Sequence, residues 1–270
     1  MLNTTQEKKM TESKQSFVYG AYQVFELKPK QDTSISIVMP AYELEDSVEQ
    51  AIKHVEEVAR TLTDDYEIIV VDDGSNDGTY VRALNHRKNP HVKVLRHRCN
   101  RGKGAAIKTG VRYATKQYTI LLDADMEIDP RSMRFLVNGL KSYDLVVCSK
   151  RHPKSVYRAP FVRRLLSVTF NVLVKLLLGI RFGDTQTGFK AFRTEVLRRI
   201  MDVVVVKRYA YDVEVLAVAS MLRLRALEVP VRIVQRSMFR LGEALQMFLD
   251  VLGIAYRLRI KRWYQKRLRL

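Results

Sequence analysis

The stretch YEIIVVDDGSNDGT, Tyr66 to Thr79, decides the fold. Four apolar, β-branched residues in unbroken succession, Ile68 to Val71, fit a strand buried on both faces, which is the habit of parallel sheets. The strand then opens abruptly into two carboxylates and a Gly-Ser-Asn-Asp-Gly turn, and helical period follows from Thr79. The same rhythm recurs outward from it. Short runs SISIVM (34–39), VKVLRH (92–97), YTILLDAD (118–125) and DLVVCS (144–149) alternate with helical segments near 47–62, 79–86, 103–115 and 130–140. Alternation at this spacing predicts an α/β fold with a mostly parallel sheet and helices on both faces. Beyond Ser149 the spacing predicts a helix around Tyr211–Arg223 and a last strand over 225–234.

Ligands of such sheets sit at the carboxyl ends of the strands. Those ends read Pro40-Ala41-Tyr42, Asp72-Asp73-Gly74-Ser75 and Asp123-Ala124-Asp125. Asp72 and Asp73 suit hydrogen bonding to a nucleobase or ribose, though turn and cap chemistry alone would also place acids there. NRGKG (100–104) offers two glycines around Lys103 at a helix start, which suits phosphate. In LDADMEID, Asp123, Asp125, Glu127 and Asp129 repel one another unless a cation lies among them. Oxygen-only ligation points to Mg2+ or Mn2+ completed by substrate phosphates.

Charge and hydropathy indicate where the protein works. The 270 residues carry a formal net charge of +18, so an anionic partner is expected. The last fourteen residues, RLRIKRWYQKRLRL, interleave seven cations with apolar residues and contain no acid. That pattern predicts a basic amphipathic helix on an anionic membrane surface, over residues 237–270, rather than a nucleic-acid contact. The apolar window Leu165–Ile180 is interrupted by Asn171 and Lys175 and falls short of the ~20 residues that span a bilayer. It reads as either a core or an interfacial helix. Residues 1–32 read as a flexible leader without a secretory signal, and 33–236 as the catalytic domain. Cys99 and Cys148 fit neither a metal-ligand nor a disulfide spacing, in keeping with a reducing, cytoplasmic setting.

VMPAY, VVDDGSNDGT, NRGKGAA, LDADME, DTQTGFKAF and RYAYDVEVL, in that order, resemble the inverting glycosyltransferases of family 2. The likeness is to the polyprenyl-phosphate branch, which includes dolichyl-phosphate glucosyltransferases and dolichyl-phosphate mannose synthases. It implies a glycosyltransferase A-type fold and transfer of a hexose from a nucleotide diphosphate sugar to a polyprenyl (dolichyl) phosphate, peripherally at the cytoplasmic face of a membrane. UDP-glucose is the donor the motifs favour. GDP-mannose, or a saccharide or lipid hydroxyl as acceptor, are the alternatives, the latter needing Asp184 or Asp212 as general base. By the resemblance, Pro40, Ala41, Tyr42, Glu43, Asp72 or Asp73, Lys103, Asp123 and Gln186 bind the nucleotide sugar, and Asp125 and Glu127 hold the metal. Asp184, Thr185, Gln186 and Gly188 form the turn beside the donor sugar, with Tyr211, Asp212 and Glu214 on the later acidic helix. Arg151, Arg163 and Arg164 face the acceptor phosphate, and Asp123, Asp125, Arg151 and Asp184 are the catalytic set. One departure is Leu44, apolar where the family carries an acid, so either a neighbouring acid, Glu43 or Glu45, substitutes or the contact to the donor base differs.

Overall fold

The computed structural model describes residues 32–208, 210–234 and 241–269, without the side chains of residues 162, 163, 241, 243 and 244. The expected leader lies outside it apart from Asp32. Strands β1 (Ile35–Ala41) and β2 (Tyr66–Asp72) pair in parallel, Ile35 opposite Tyr66 and Ala41 opposite Asp72. Their last residues therefore lie side by side at one edge of the sheet. β3 (Val92–Arg96) flanks β2 and β4 (Tyr118–Leu121) flanks β1, both parallel. Then come β7 (Lys190–Arg193), antiparallel to both its neighbours, β5 (Leu145–Cys148), and β8 (Ala226–Val229) parallel to β5. The seven-stranded order is β3-β2-β1-β4-β7-β5-β8.

Every residue of β1 and β2 is buried. Successive side chains point to opposite faces of a strand, so β1 feeds two cores. Val38, Ile69, Val71 and Leu121 pack with the helices α3 (Lys103–Tyr113), α6 (Thr194–Met201) and α7 (Tyr211–Met221). Ile37, Met39, Ile68 and Val70 pack with α1 (Val48–Leu62) and α4 (Met133–Leu140). The short α2 (Thr79–Leu84) follows β2. α7 is buried from Tyr211 through Ala219, its two acids Asp212 and Glu214 included.

Three features depart from the sequence expectation. RALEVPVRIV is not one strand: Pro230 has no N–H to give to a ladder. The chain leaves the main sheet there and forms β9 (Arg232–Val234), which pairs with β6 (Val156–Arg158). β7 itself carries no readable alternation, being four residues between a turn and a helix. The third is the C-terminal region, which is not a single helix lying on a surface. It comprises α8 (Leu241–Ala255), a π-helical turn over Tyr256–Ile260, a reversal at Arg262 with φ 47°, and α9 (Trp263–Leu268). Tyr264 there is fully buried, so the basic tail is docked into the protein. The apolar window forms α5 (Phe161–Leu178), which packs beside α8.

α3 lies close to β1 at Gly110, where a Cβ would stand 2.4 Å from Val38 Cγ1. Gly110→Ala is expected to cost about 1–3 kcal/mol through overpacking. It should appear as a lowered urea midpoint with an unchanged denaturant slope.

Candidate active site

The two carboxylates that end β2 are both engaged by protein. Asp73 Oδ1 accepts from His97 Nδ1 at 2.7 Å and from the Arg101 N–H at 3.1 Å, while its Oδ2 accepts from the Gly102 N–H at 2.7 Å. Asp73 thus ties the end of β2 to the N-terminus of α3. Asp72, wholly buried, lies 3.1 Å from Arg96 Nε and accepts from the Ser75 N–H at 3.3 Å. At the neighbouring end of β1, Pro40 and Ala41 are buried, whereas Tyr42 and Glu43 are exposed. Glu43 has φ 51°, and its N–H donates to Ser75 Oγ at 3.0 Å. Glu45 instead accepts from the Gly78 N–H at 3.0 Å, and Leu44 packs on the α1-side core. Of the two acids beside Leu44, Glu45 is engaged by the turn before α2, whereas Glu43 lies exposed directly after β1.

The acids after β4 meet a cation supplied by the chain. Lys103 Nζ is 2.8 Å from Asp123 Oδ2 and 3.5 Å from Asp212 Oδ2. Burial by itself would lower the Lys103 pKa, but Asp123, Asp212 and Asp125 outweigh it and hold the ammonium above its ordinary range. Asp212 Oδ1 in turn binds Lys190 Nζ at 2.7 Å, and Lys190 is fully buried and also donates to the Thr187 carbonyl. The result is an alternating row, Asp123, Lys103, Asp212, Lys190, joining the ends of β4, α3, α7 and β7. Gly188 closes over it: a Cβ there would meet Asp123 Oδ2 at 2.1 Å and Lys103 Nζ at 2.9 Å.

Asp125 and Glu127 lie outside this row. Asp125 keeps contact with solvent, yet the protein packed around its carboxyl and the charge of Asp123, with a further push from Glu127, raise its pKa to about 6. Met126 between them has φ 58°, a left-handed turn that costs a bulky residue energy and gathers at functional sites. Asp129 is separate: it accepts from the Arg131 N–H at 3.0 Å and caps the 3-10 turn Pro130–Ser132. Among the described residues no three His, Cys, Asp or Glu side chains converge as a ready metal cage. Carboxylates such as Asp125 and Glu127 are the donor type of a hard cation that keeps waters and takes phosphate oxygens.

On the other flank of β7, Asp184 is buried and its oxygens are fully occupied. They accept from the N–H groups of Lys150 and Gln186 at 3.1 Å each and from the Thr187 hydroxyl, with Lys150 Nζ at 3.6 Å. Burial works against the charge, but Lys150 and the hydrogen bonds win, and its pKa is lowered. Gln186 is half-buried in the same turn. Arg151 reaches α5, donating from Nη2 to the Ser167 carbonyl at 2.7 Å. Arg164 is exposed on the first turn of α5, and the Arg163 side chain lies outside the described residues. Sequence reasoning passed over Lys190, and it placed Lys150 among the cations for the acceptor phosphate rather than beside Asp184. A lysine inside the apolar run GFKAF is the available signal, because a lysine is almost never fully buried unless paired.

The family model described as Glycosyl transferase family 2 matches residues 36–201. The chain belongs to that family. This family 2 glycosyltransferase is 31% identical over 254 residues to a dolichyl-phosphate beta-glucosyltransferase of Dictyostelium discoideum, a match covering 87% of this chain and 78% of the relative. It is 30% identical over 210 residues to an undecaprenyl-phosphate mannosyltransferase of Micrococcus luteus, covering 76% and 84% respectively. Among solved structures it resembles glucosyl-3-phosphoglycerate synthase from Mycobacterium tuberculosis in complex with Mn2+, UDP and glucosyl-3-phosphoglycerate. The TM-score is 0.64 at 21% identity, over 83% of this chain and 79% of that one. The mostly parallel sheet and the glycosyltransferase assignment made from the sequence are thereby borne out.

Lys190→Met in this glycosyltransferase is expected to cost about 3–5 kcal/mol, because it leaves Asp212 short of a buried partner. Chemical denaturation measures it. Gly188→Ala, which displaces Asp123 from Lys103, should lower stability and also weaken nucleotide-sugar binding at least roughly tenfold, read by denaturation and by calorimetric titration.

Proposed function

We propose that the enzyme transfers glucose from UDP-glucose to dolichyl phosphate with inversion, on a membrane surface and with Mg2+ or Mn2+. The observation that carries this reading is the state of its two candidate general bases. Asp184 is saturated with donors and has a lowered pKa, and Asp212 is held between Lys103 and Lys190. A hydroxyl acceptor needs a base to take its proton in the transition state. A phosphate acceptor arrives already anionic and needs only positioning and relief of charge repulsion. Carboxylates locked in ion pairs suit the second acceptor. The relatives whose names describe polyprenyl-phosphate glycosyltransfer support the same choice.

The roles follow from position. Asp125 and Glu127 would hold the divalent ion, which when bound supplies Lewis-acid neutralisation of the leaving diphosphate. Lys103, anchored by Asp123, keeps a positive charge at the donor site throughout. Pro40, Ala41, Tyr42 and Glu43 would border the nucleoside, with Asp72 and Asp73 shaping that end of the pocket. Gln186 would lie beside the donor sugar. Arg151, with Arg163 and Arg164 near it in sequence, would meet the acceptor phosphate. Opposite charges from the protein offset the repulsion between the two substrates' phosphates.

The apolar face supports membrane attachment. Phe161, Leu165, Leu166, Val172 and Leu176 on α5 are exposed, as are Leu245, Leu249 and Leu252 on α8, with Lys154, Arg158 and Arg164 beside them in sequence. Among the described residues no helix is long and apolar enough to cross a membrane. Two neighbouring helices with apolar outer faces and basic flanks suit insertion at the headgroup level. The isoprenoid chain would enter from there.

Incubation with radiolabelled UDP-glucose and dolichyl phosphate should place label in the organic phase; its absence across UDP and GDP sugars would refute the reading. Asp125→Asn should lower that transfer about 100-fold or more with unchanged circular dichroism. Because the metal binds the carboxylate form, Mn2+ affinity should fall as pH drops through about 6, where Asp125 takes up its proton. Calorimetry at two pH values tests the sign. Leu165→Glu with Leu176→Glu should abolish flotation with anionic vesicles while leaving donor binding intact.

A further inference from the structure

A second group of basic residues lines a cavity along α3. On the outer side of α3, a cavity of about 360 Å3 is bounded by α3, the segment Asp202–Lys207 and α9. Five cations line it, Arg101, Lys108, Arg112, Lys207 and Arg267, against one acid, Asp202. None of the five forms an ion pair among the described residues, in contrast to Lys103 on the inner side of the same helix. Lys108 donates to the Val204 carbonyl at 3.2 Å, and burial together with the charge of Arg112 lowers its pKa despite Asp202 and Glu214. The Arg267 guanidinium lies 4.5 Å from the centre of the Trp263 ring, and the Trp263 indole N–H is buried without a hydrogen-bond partner. Cations packed around a cavity repel one another, and an unpaired buried N–H costs free energy. A bound anion relieves both.

We propose that this cavity is a binding site for a phosphate-bearing ligand, separate from the donor site. Several arginines and lysines converging on one space suit the oxygens of a phosphate group, and the aromatic ring gives one apolar wall. The cavity's position gives it a route to catalysis. The Lys207 carbonyl, at its edge, accepts from the N–H groups of Gly104 and Ala105 at 2.7 and 3.3 Å, directly beside Lys103. An occupant would therefore brace the segment that fixes the start of α3.

Trp263 is the sole tryptophan of the chain, so its emission reports the site directly. The full-length protein would be titrated with inorganic pyrophosphate, and separately with vesicles of phosphatidylcholine with or without phosphatidic acid. A saturable change with pyrophosphate identifies a soluble phosphate ligand, and one confined to phosphatidic acid vesicles identifies a lipid headgroup; either supports the site. Arg112→Glu, at an exposed position, and Lys108→Gln should each weaken the response about tenfold or more with unchanged circular dichroism. Asp125→Asn should leave it unaltered. The proposal is overturned by the lack of a saturable change with either probe, by an equal response in Arg112→Glu, by an equal response to pure phosphatidylcholine, or by its loss in Asp125→Asn.

Discussion

The alternating row Asp123, Lys103, Asp212, Lys190 is the interaction on which the catalytic end of this molecule depends. Its four members come from four different elements, with Lys190 fully buried and Lys103 partly so. Breaking one link leaves a neighbour as an uncompensated buried ion, which costs far more than a surface pair of the same length. The row therefore fixes β4, β7, α3 and α7 relative to one another. Asp123 and Asp212 are neutralised within the fold by Lys103 and Lys190, whereas Asp125 stands outside the row.

Asp73 and Glu214 extend the same logic outward. Asp73 gathers His97 and the N–H groups of Arg101 and Gly102, so that α3 starts at a fixed distance from β2. Glu214, fully buried on α7, accepts from the N–H groups of Val205 and Val206 at 2.9 and 2.7 Å, from Arg257 Nη2 at 3.3 Å and from the Tyr264 hydroxyl. Four donors thus converge on this one buried carboxylate. Through Val205 and Val206 it also steadies the segment whose Lys207 carbonyl holds Gly104. The end of β2, α7 and the C-terminal region are in this way parts of one polar framework.

Much of this was legible in the sequence, for physical reasons that can be named. β1, β2, β4 and β5 announce themselves because a strand buried on both faces must be apolar throughout, and the acids at their ends stand out against that background. β7 was not legible, since four residues carry no period. The docking of the tail was missed because alternating Arg and Leu read alike for an interfacial helix and for one whose tyrosine reaches a buried glutamate 50 positions earlier. Composition records how much charge a segment bears, not which charge it will meet. The roles of Lys190 and Lys150 were hidden for the same reason: pairing with Asp212 and Asp184 is a property of topology. Pro230, by contrast, was a visible signal that RALEVPVRIV could not continue as one ladder.

The bond between Tyr264 and Glu214 also bears on the order in which the protein becomes itself. Non-local contacts must wait for their loops to close, and this one closes the core around α7 with residues near the end of the sequence. During synthesis, α7 and the sheet would leave the ribosome with a buried-type glutamate still lacking two of its donors. The catalytic end would reach its final geometry only after α9 had emerged. Until then the nascent chain has its strands in place and its Glu214 unsatisfied, which is the kind of species that chaperones retain.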